Sequence, residues 1–218
     1  YTFSTLRSGK TYTFDIYPYT LSPNNSGDNV NYKTDGTIPQ ASTTTQTAAS
    51  GQITAGTTSA PLPISSLQNA SFGSANFTFK IQDDGLSLTA DDAKMLVSQI
   101  VIKTTASTSI ADLSEVIEEA QLIDITEANT VFASGAAIGT STITFALATT
   151  NDKEGEWDDD ELKEYELRIR LKNPMLASVA ANIDNERIEF YVDPTSFTYG
   201  SNSSSVASSQ YVESDPSD

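Results

Sequence analysis

"EYELRIRLK", residues 164 to 172, alternates charge and hydrocarbon one residue at a time. A β-strand turns successive side chains to opposite faces, so this period of two places Tyr165, Leu167, Ile169 and Leu171 on one face. Glu164, Glu166, Arg168, Arg170 and Lys172 fall on the other, where both signs of charge suit pairing with neighbouring strands. A strand with one wet face belongs to an antiparallel sheet. Strands of a doubly wound parallel sheet are apolar on both faces.

The same pattern recurs on either side. "ANFTFKI" (75–81) sets Phe77, Phe79 and Ile81 on one face, and "SQIVIKTT" (98–105) sets Ile100 and Ile102 inward. "QLIDIT" (121–126) reads as strand. "GTSTITFALATT" (139–150) aligns Ile143, Phe145 and Leu147, and "RIEFYVDP" (187–194) aligns Ile188, Phe190 and Val192 as the last strand. Short helical signatures lie between them. "TADDAKML" (89–96) has a capping-box spacing from Thr89 to Asp92. "SIADLSEVIEEA" (109–120) repeats it from Ser109 to Asp112, with Ile110, Leu113, Val116, Ile117 and Ala120 at helical spacing. "NPMLASVAANI" (173–183) is helix-like, with Pro174 at a first-turn position. Six or seven amphipathic strands with two or three short helices between them predict an all-β fold, an antiparallel sandwich of jelly-roll type.

Outside this body, expected at residues 75–194, the pattern thins. Residues 1–19 hold a second clear alternation, with Tyr12, Phe14 and Ile16 facing one way, and Tyr1, Phe3 and Leu6 have strand composition. Residues 20–74 are rich in Ser and Thr with almost no apolar pattern, and read as a polar linker or extended loop. Residues 195–218 read as a Ser-rich tail with little to bury. An amphipathic strand cut off by a linker need not pair within its own chain. It can pair locally as an edge strand, or complete the sheet of a neighbouring copy. Head-to-tail donation does not close on itself and builds a filament.

The chain has 218 residues, with 28 Ser and 28 Thr, and a net charge of −17 from 29 acids and 12 bases. That field repels phosphate backbones and anionic bilayers, so neither nucleic acid nor a membrane surface is an expected partner. The apolar runs are only a handful of residues long, so no membrane insertion is expected. There is no Cys and no His. Without them there is no Ser-His-Asp triad, no thiolate and no usual zinc site, and the chain reads as a non-enzyme. A paired-carboxylate hydrolase would need two acids facing across a cleft, and 29 acids give that idea no specificity. An acidic, Cys-free, Ser/Thr-rich chain that begins at Tyr1 rather than Met reads as exported, to the extracellular space or the cell surface. Sequons for N-glycosylation stand at Asn24, Asn69, Asn76 and Asn202, about as many as the composition gives by chance.

Just before the opening strand, "NDKEGEWDDD" (151–160) crowds carboxylates around a glycine and the single Trp157. Placing Gly155 at the sixth position of a calcium loop leaves Thr150 where an aspartate belongs, with strands rather than helices on either side, so an EF-hand does not fit. A looser Ca²⁺ site needs only convergent oxygens, for which Asp152, Glu154, Asp158, Asp160 and Glu161 are the candidates. The other reading is a solvated turn. Trp157 is the aromatic available to stack a sugar, or else an anchor in the core.

Two longer stretches, "FTFKIQDDGLSLTADDAKMLVSQIVIKTT" (77–105) and "YELRIRLKNPMLASVAANIDNERIEFYVDP" (165–194), resemble the TasA-type fibre subunits of bacterial biofilms and the related archaeal bundling pili and cannulae. The likeness is one of pattern over the body; the Thr-rich segment before it has no counterpart. The resemblance implies a secreted jelly roll polymerised by donor strands, with calcium at subunit contacts in the cannulae. Tyr1 to Leu6 or Thr11 to Tyr17 would then be the donated strand. The sequence thus leads to a structural subunit of an extracellular filament or surface layer, with copies of itself as partner. A carbohydrate-binding or adhesin module, or a viral structural protein, is the alternative.

Overall fold

The computed structural model describes residues 11–17, 19–21, 30–32, 37–44, 51–64, 71–83, 94–147, 155–158, 160–176, 179–180, 183, 186–200, 203–207 and 209–214. The chain divides into two compact units, Tyr1–Gln46 and Thr47–Asp218.

The first unit contains two small antiparallel sheets. β1 (Thr11–Asp15) pairs with β4 (Gln40–Thr44), Phe14 lying opposite Ala41, while β2 (Tyr19–Leu21) pairs with β3 (Val30–Tyr32). The expected alternation is present in β1, where Tyr12 and Phe14 are half-buried between exposed Thr11, Thr13 and Asp15. It does not extend to Ile16, which is 55% exposed. Beyond β1 the pairing continues for one bond, from the Ile16 amide to the Pro39 carbonyl at 2.9 Å, and Gln40 Nε2 donates to Asp15 Oδ1 at 2.7 Å.

The second unit is an antiparallel all-β body. Its strands are β5 (Gln52–Ser59), β6 (Leu62–Pro63), β7 (Gly73–Gln82), β8 (Met95–Thr104), β9 (Ile117–Asp124), β10 (Thr130–Ala133), β11 (Ala137–Ile138), β12 (Thr142–Ala146), β13 (Glu156–Trp157), β14 (Leu162–Leu171), β15 (Arg187–Ile188), β16 (Phe190–Val192), β17 (Phe197–Tyr199) and β18 (Val212–Glu213). One sheet runs β10-β9-β14-β7-β5. A second runs β11-β12-β8-β16-β18, with β13 and β17 also on β8, and β6 pairs with β15 in a small two-stranded sheet. The inward faces of both feed a single apolar core. Phe77 of β7 and Phe190 of β16 meet across the two sheets with ring centroids 6.1 Å apart.

The alternating residues land where their period puts them. Phe77, Phe79, Ile81, Ile100, Ile102, Ile143, Phe145, Tyr165, Leu167, Ile169, Ile188, Phe190 and Val192 are all buried. On the outer face of β14, Arg170 pairs with Glu119 of β9 at 2.7 Å and Lys80 of β7 with Glu164 at 3.8 Å, the mixed-sign ladder expected of this strand.

Several local expectations are corrected. Of the helix expected over 109–120, only α1 (Leu113–Val116) is helical; Ile117 already belongs to β9, paired to Leu171 of β14. Val116, Ile117 and Ala120 fit a helical spacing and Ala120 and Leu122 a strand period, and the available ladder of β14 decides for strand. The cap is Asp112, whose carboxylate accepts from the Ser114 amide at 2.9 Å, and not Ser109. The expected helix over 89–96 ends in strand instead, because Met95 and Leu96 start β8; residues 84–93 lie outside the described ones. Pro174 is not a first-turn residue: it follows a cis peptide, and the helical bonds begin from the Leu176 carbonyl, to the amides of Val179 and Ala180.

"RIEFYVDP" is not the last strand, since β17 and β18 follow it. The Ser-rich tail, expected to bury little, buries Phe197, Val206 and Val212, with Ser203, Ser204 and Ser214 beside them. The Ser214 hydroxyl accepts from the Phe190 amide at 2.9 Å. Within the expected linker, β5 pairs with β7 and buries Ile53, and Leu62 of β6 is fully enclosed. Polar composition misleads in both places for one reason. An edge strand needs a single well-placed apolar residue and a paired backbone, and small hydroxyls satisfy their own hydrogen bonds at low cost.

Phe79 touches both Phe77 and Tyr165, with centroids at 5.6 and 5.7 Å. Replacing Phe79 by Ala should cost about 3–5 kcal/mol, seen as a lower denaturant midpoint; an unchanged midpoint would contradict this core.

Candidate functional site

Two places were marked by sequence: the acidic turn ahead of β14 and the strand near the N-terminus. The turn is positioned by β8. The Leu147 amide donates to the Ser98 carbonyl at 2.9 Å, and the Val97 amide donates to the Gly155 carbonyl at 2.7 Å. Leu147 and Gly155 are therefore held by adjacent residues of one strand. β13 then continues along the same edge, with Trp157 opposite Met95. This close approach requires glycine at 155, since a Cβ there would stand 2.0 Å from the Val97 carbonyl oxygen.

Trp157 is not a platform for a sugar. It is 0% exposed, packs edge-on to Tyr165 (centroids 6.0 Å, 78° between planes) and lies 6.0 Å from Phe132. This is the core anchor, the other of the two readings the sequence allows: its neighbours point outward from β13 while the indole points in. Lys163 lies over the ring at 5.9 Å and also pairs with Glu161 at 3.1 Å.

Asp152 and Glu154 lie outside the described residues. Asp158 and Glu161 are brought together in a tight turn, in which the Asp158 amide donates to Glu161 Oε2 and the Glu161 amide to the Asp158 carbonyl, both at 2.9 Å. Asp160 is exposed at φ 65°, a left-handed position that aspartate tolerates. Asp158 also pairs with Lys94 at 2.6 Å, and Glu156 shares the same ammonium. The hydrogen bonds that Lys94 donates, first to Asp158 and then to Glu156, hold its ammonium above the ordinary lysine range. Glu156, Asp158 and Glu161 thus have a cation of the chain beside them. Among the described residues no three Asp, Glu, His or Cys converge as a metal site.

Of the assembly residues, Tyr12, Phe14 and Ile16 stand on or beside β1, paired within the chain to β4. Tyr1, Phe3 and Leu6 lie outside the described residues, as do the sequons at Asn24, Asn69 and Asn202. Asn76 is half-buried in β7 at φ 53°. Thr78 of its sequon is buried, its hydroxyl donating to the Thr58 carbonyl and accepting from the Thr58 amide, each at 2.8 Å.

Sequence reasoning missed three buried acids. Asp83 accepts from the Met95 amide at 2.7 Å, and Asp124 from the amides of Thr126 and Glu127 at 2.8 and 3.1 Å. Glu189, at the break between β15 and β16, accepts from the Thr105 hydroxyl at 3.1 Å with Arg187 beside it. "DDG" (83–85) fits a turn at Asp83, while "QLIDIT" reads as strand throughout and hides Asp124, and the alternation of "RIEFYV" points Glu189 at water. All three tie strand ends to loops, which is structural work.

No protein-family model, curated protein or solved structure matches this chain. No helix among the described residues is long and apolar enough to cross a membrane.

Two outcomes test this region. Gly155→Ala forces β13 off β8 and should cost about 1–3 kcal/mol in chemical unfolding; a neutral result would place the turn elsewhere. Burial first, then the charge of Asp124, pushes the Tyr165 phenol well above the usual tyrosine range, and burial pushes Tyr199 up to about 12. A proton held more tightly when folded stabilises fully below the unfolded value of about 10 and is lost as pH rises past it. Stability should therefore fall above about pH 10. Tyr165→Phe should flatten that fall while leaving stability at pH 7 nearly unchanged, since the hydroxyl has no well-formed hydrogen bond to lose.

Proposed function

We propose that this protein is a secreted structural subunit of an extracellular filament or surface layer, and that it joins copies of itself by exchanging its N-terminal strand. The supporting observation is the state of β1. It belongs to a two-stranded sheet in a unit that clusters apart from the β-body, and Ile16 and Tyr17 beyond it are exposed. A two-stranded sheet is only marginally stable in water. Trading β4 for the edge of a neighbour's sheet costs little and gains a larger surface.

Composition supports the same reading. The chain lacks Cys and His, the residue types behind most nucleophilic and transition-metal chemistry, and its Ser/Thr-rich acidic surface suits an exported, soluble subunit. The pattern-level likeness to TasA-type fibre subunits points the same way, and with it a jelly-roll order for the body. Calcium is assigned the role of a bridge between subunits at the acidic turn, where a second copy would add the oxygens that the described residues of one copy do not bring together. With Trp157 in the core, the glycan-binding alternative has lost the residue that suggested it.

Negative-stain electron microscopy of the concentrated protein, with calcium and with chelator, is the deciding measurement. Filaments or sheets are expected, and a monomer under every cation condition would sink the proposal. Deleting residues 1–19 should abolish assembly while the body keeps its thermal unfolding transition. Unchanged filaments from that variant would clear β1 of the role.

A further inference from the structure

The second unit carries a recess of about 290 Å³ between α1 and the residues Leu176, Val179 and Ile183. Ile110 and Val116 form its buried apolar wall, Val179 and Ile183 face them, and Asp112 and Glu115 stand at its rim. Leu176, also lining it, is 71% exposed, the most exposed large hydrophobic among the described residues. A hollow and a bare leucine at one place mark a contact surface. Its volume falls below that of sites for drug-sized ligands, typically about 300–1,000 Å³, and suits one or two inserted side chains. Among the described residues neither rim carboxylate has an ion-pair partner, and Glu115 is exposed. The matching occupant is an apolar side chain followed directly by a cation.

The chain itself carries such a segment. "YTFSTLRSGK", residues 1–10, has Phe3, Leu6, Arg7 and Lys10 and no acid. The two other acid-free stretches with at least two bases, 93–111 and 167–183, carry them on or next to β8 (Lys94, Lys103) and β14 (Arg168, Arg170, Lys172), strands of the body's own sheets. Residues 47–218 hold 26 acids and 9 bases, a net −17, whereas residues 1–10 are +2. The field of the body therefore draws in this arm rather than any other part of the chain.

We propose that the recess between α1 and the residues Leu176, Val179 and Ile183 receives Leu6 of a second copy, with Arg7 of that copy on the Glu115 and Asp112 carboxylates. The inference rests on the assembly role above in taking a second copy as partner. It adds a side-chain anchor on a helical surface, separate from any strand pairing by β1.

The absence of cysteine makes the test clean, because each introduced thiol is the only one in its chain. Leu6→Cys and Leu176→Cys proteins, purified separately and mixed under mild oxidation, should form a mixed disulfide dimer. Its yield should be several-fold above that of Leu6→Cys mixed with Val131→Cys, a control at another exposed body position. Adding Arg7→Glu and Lys10→Glu to the Leu6→Cys chain should remove the excess, and Glu115→Arg on the Leu176→Cys chain should restore it. Equal yields at positions 131 and 176 would overturn the proposal. So would a Leu6→Cys/Leu176→Cys double variant that closes only within its own chain. Filaments without the cross-link would defeat the recess and spare the assembly role; the cross-link without filaments would do the reverse.

Discussion

The backbone of β8 is the constraint on which one sheet of the body depends. β12 and β13 pair along one edge of it, and β16 and β17 also take their register from it; β11 and β18 join only through β12 and β16. A strand satisfied on both sides by segments from so many parts of the chain cannot slip by one residue without turning Met95, Val97, Ile100 and Ile102 out of the core. The same backbone holds the acidic turn, through the Val97 amide and the Ser98 carbonyl, and allows only glycine at 155. Core packing and the position of the charged turn are thus one problem solved by one strand.

The two units differ in kind. The body buries a continuous aromatic and aliphatic core between its sheets, while the described part of the first unit consists of two-stranded pairs with half-buried tyrosine and phenylalanine. Free energy of burial grows with enclosed apolar area, so the body holds its strands firmly and the first unit holds its own loosely. That asymmetry makes strand exchange by the N-terminal unit physically reasonable. Charge adds to it, since a body of net −17 repels its own kind except where a basic segment or a cation intervenes.

Much of the fold was legible from residue order, because one-sided alternation is a direct imprint of a sheet with one wet face. Tyr165, Leu167 and Ile169 in β14 could be assigned inward with no structure at all. The failures have a common cause. Val116–Leu122 carry hydrocarbon at spacings that suit a helix in part and a strand in part, and only the presence of β14 alongside decides. Ile53 sits singly between Gln and Thr, and Phe197 and Val212 each have only one tyrosine near them in a Ser-rich stretch, too little to read a strand period; β7, β8 and β16 bury them by pairing with their backbones. Acidic neighbours in sequence left Trp157 between a sugar platform and a core anchor, and its neighbours in space, Phe132 and Tyr165, decide for the anchor.

The sequence by itself determined the all-β class, the inward faces of the long strands and the charge imbalance between the N-terminal segment and the body. These depend on local period and composition, which need no partner to be read. Tertiary structure alone decided that the polar segments around Gln52–Ser59 and Val212–Glu213 are strands, that Glu156 and Asp158 share Lys94, and that a recess opens between α1 and Leu176. Each of these requires groups far apart in the chain to meet, and their encounter is set by β-pairing over long separations rather than by any preference written locally.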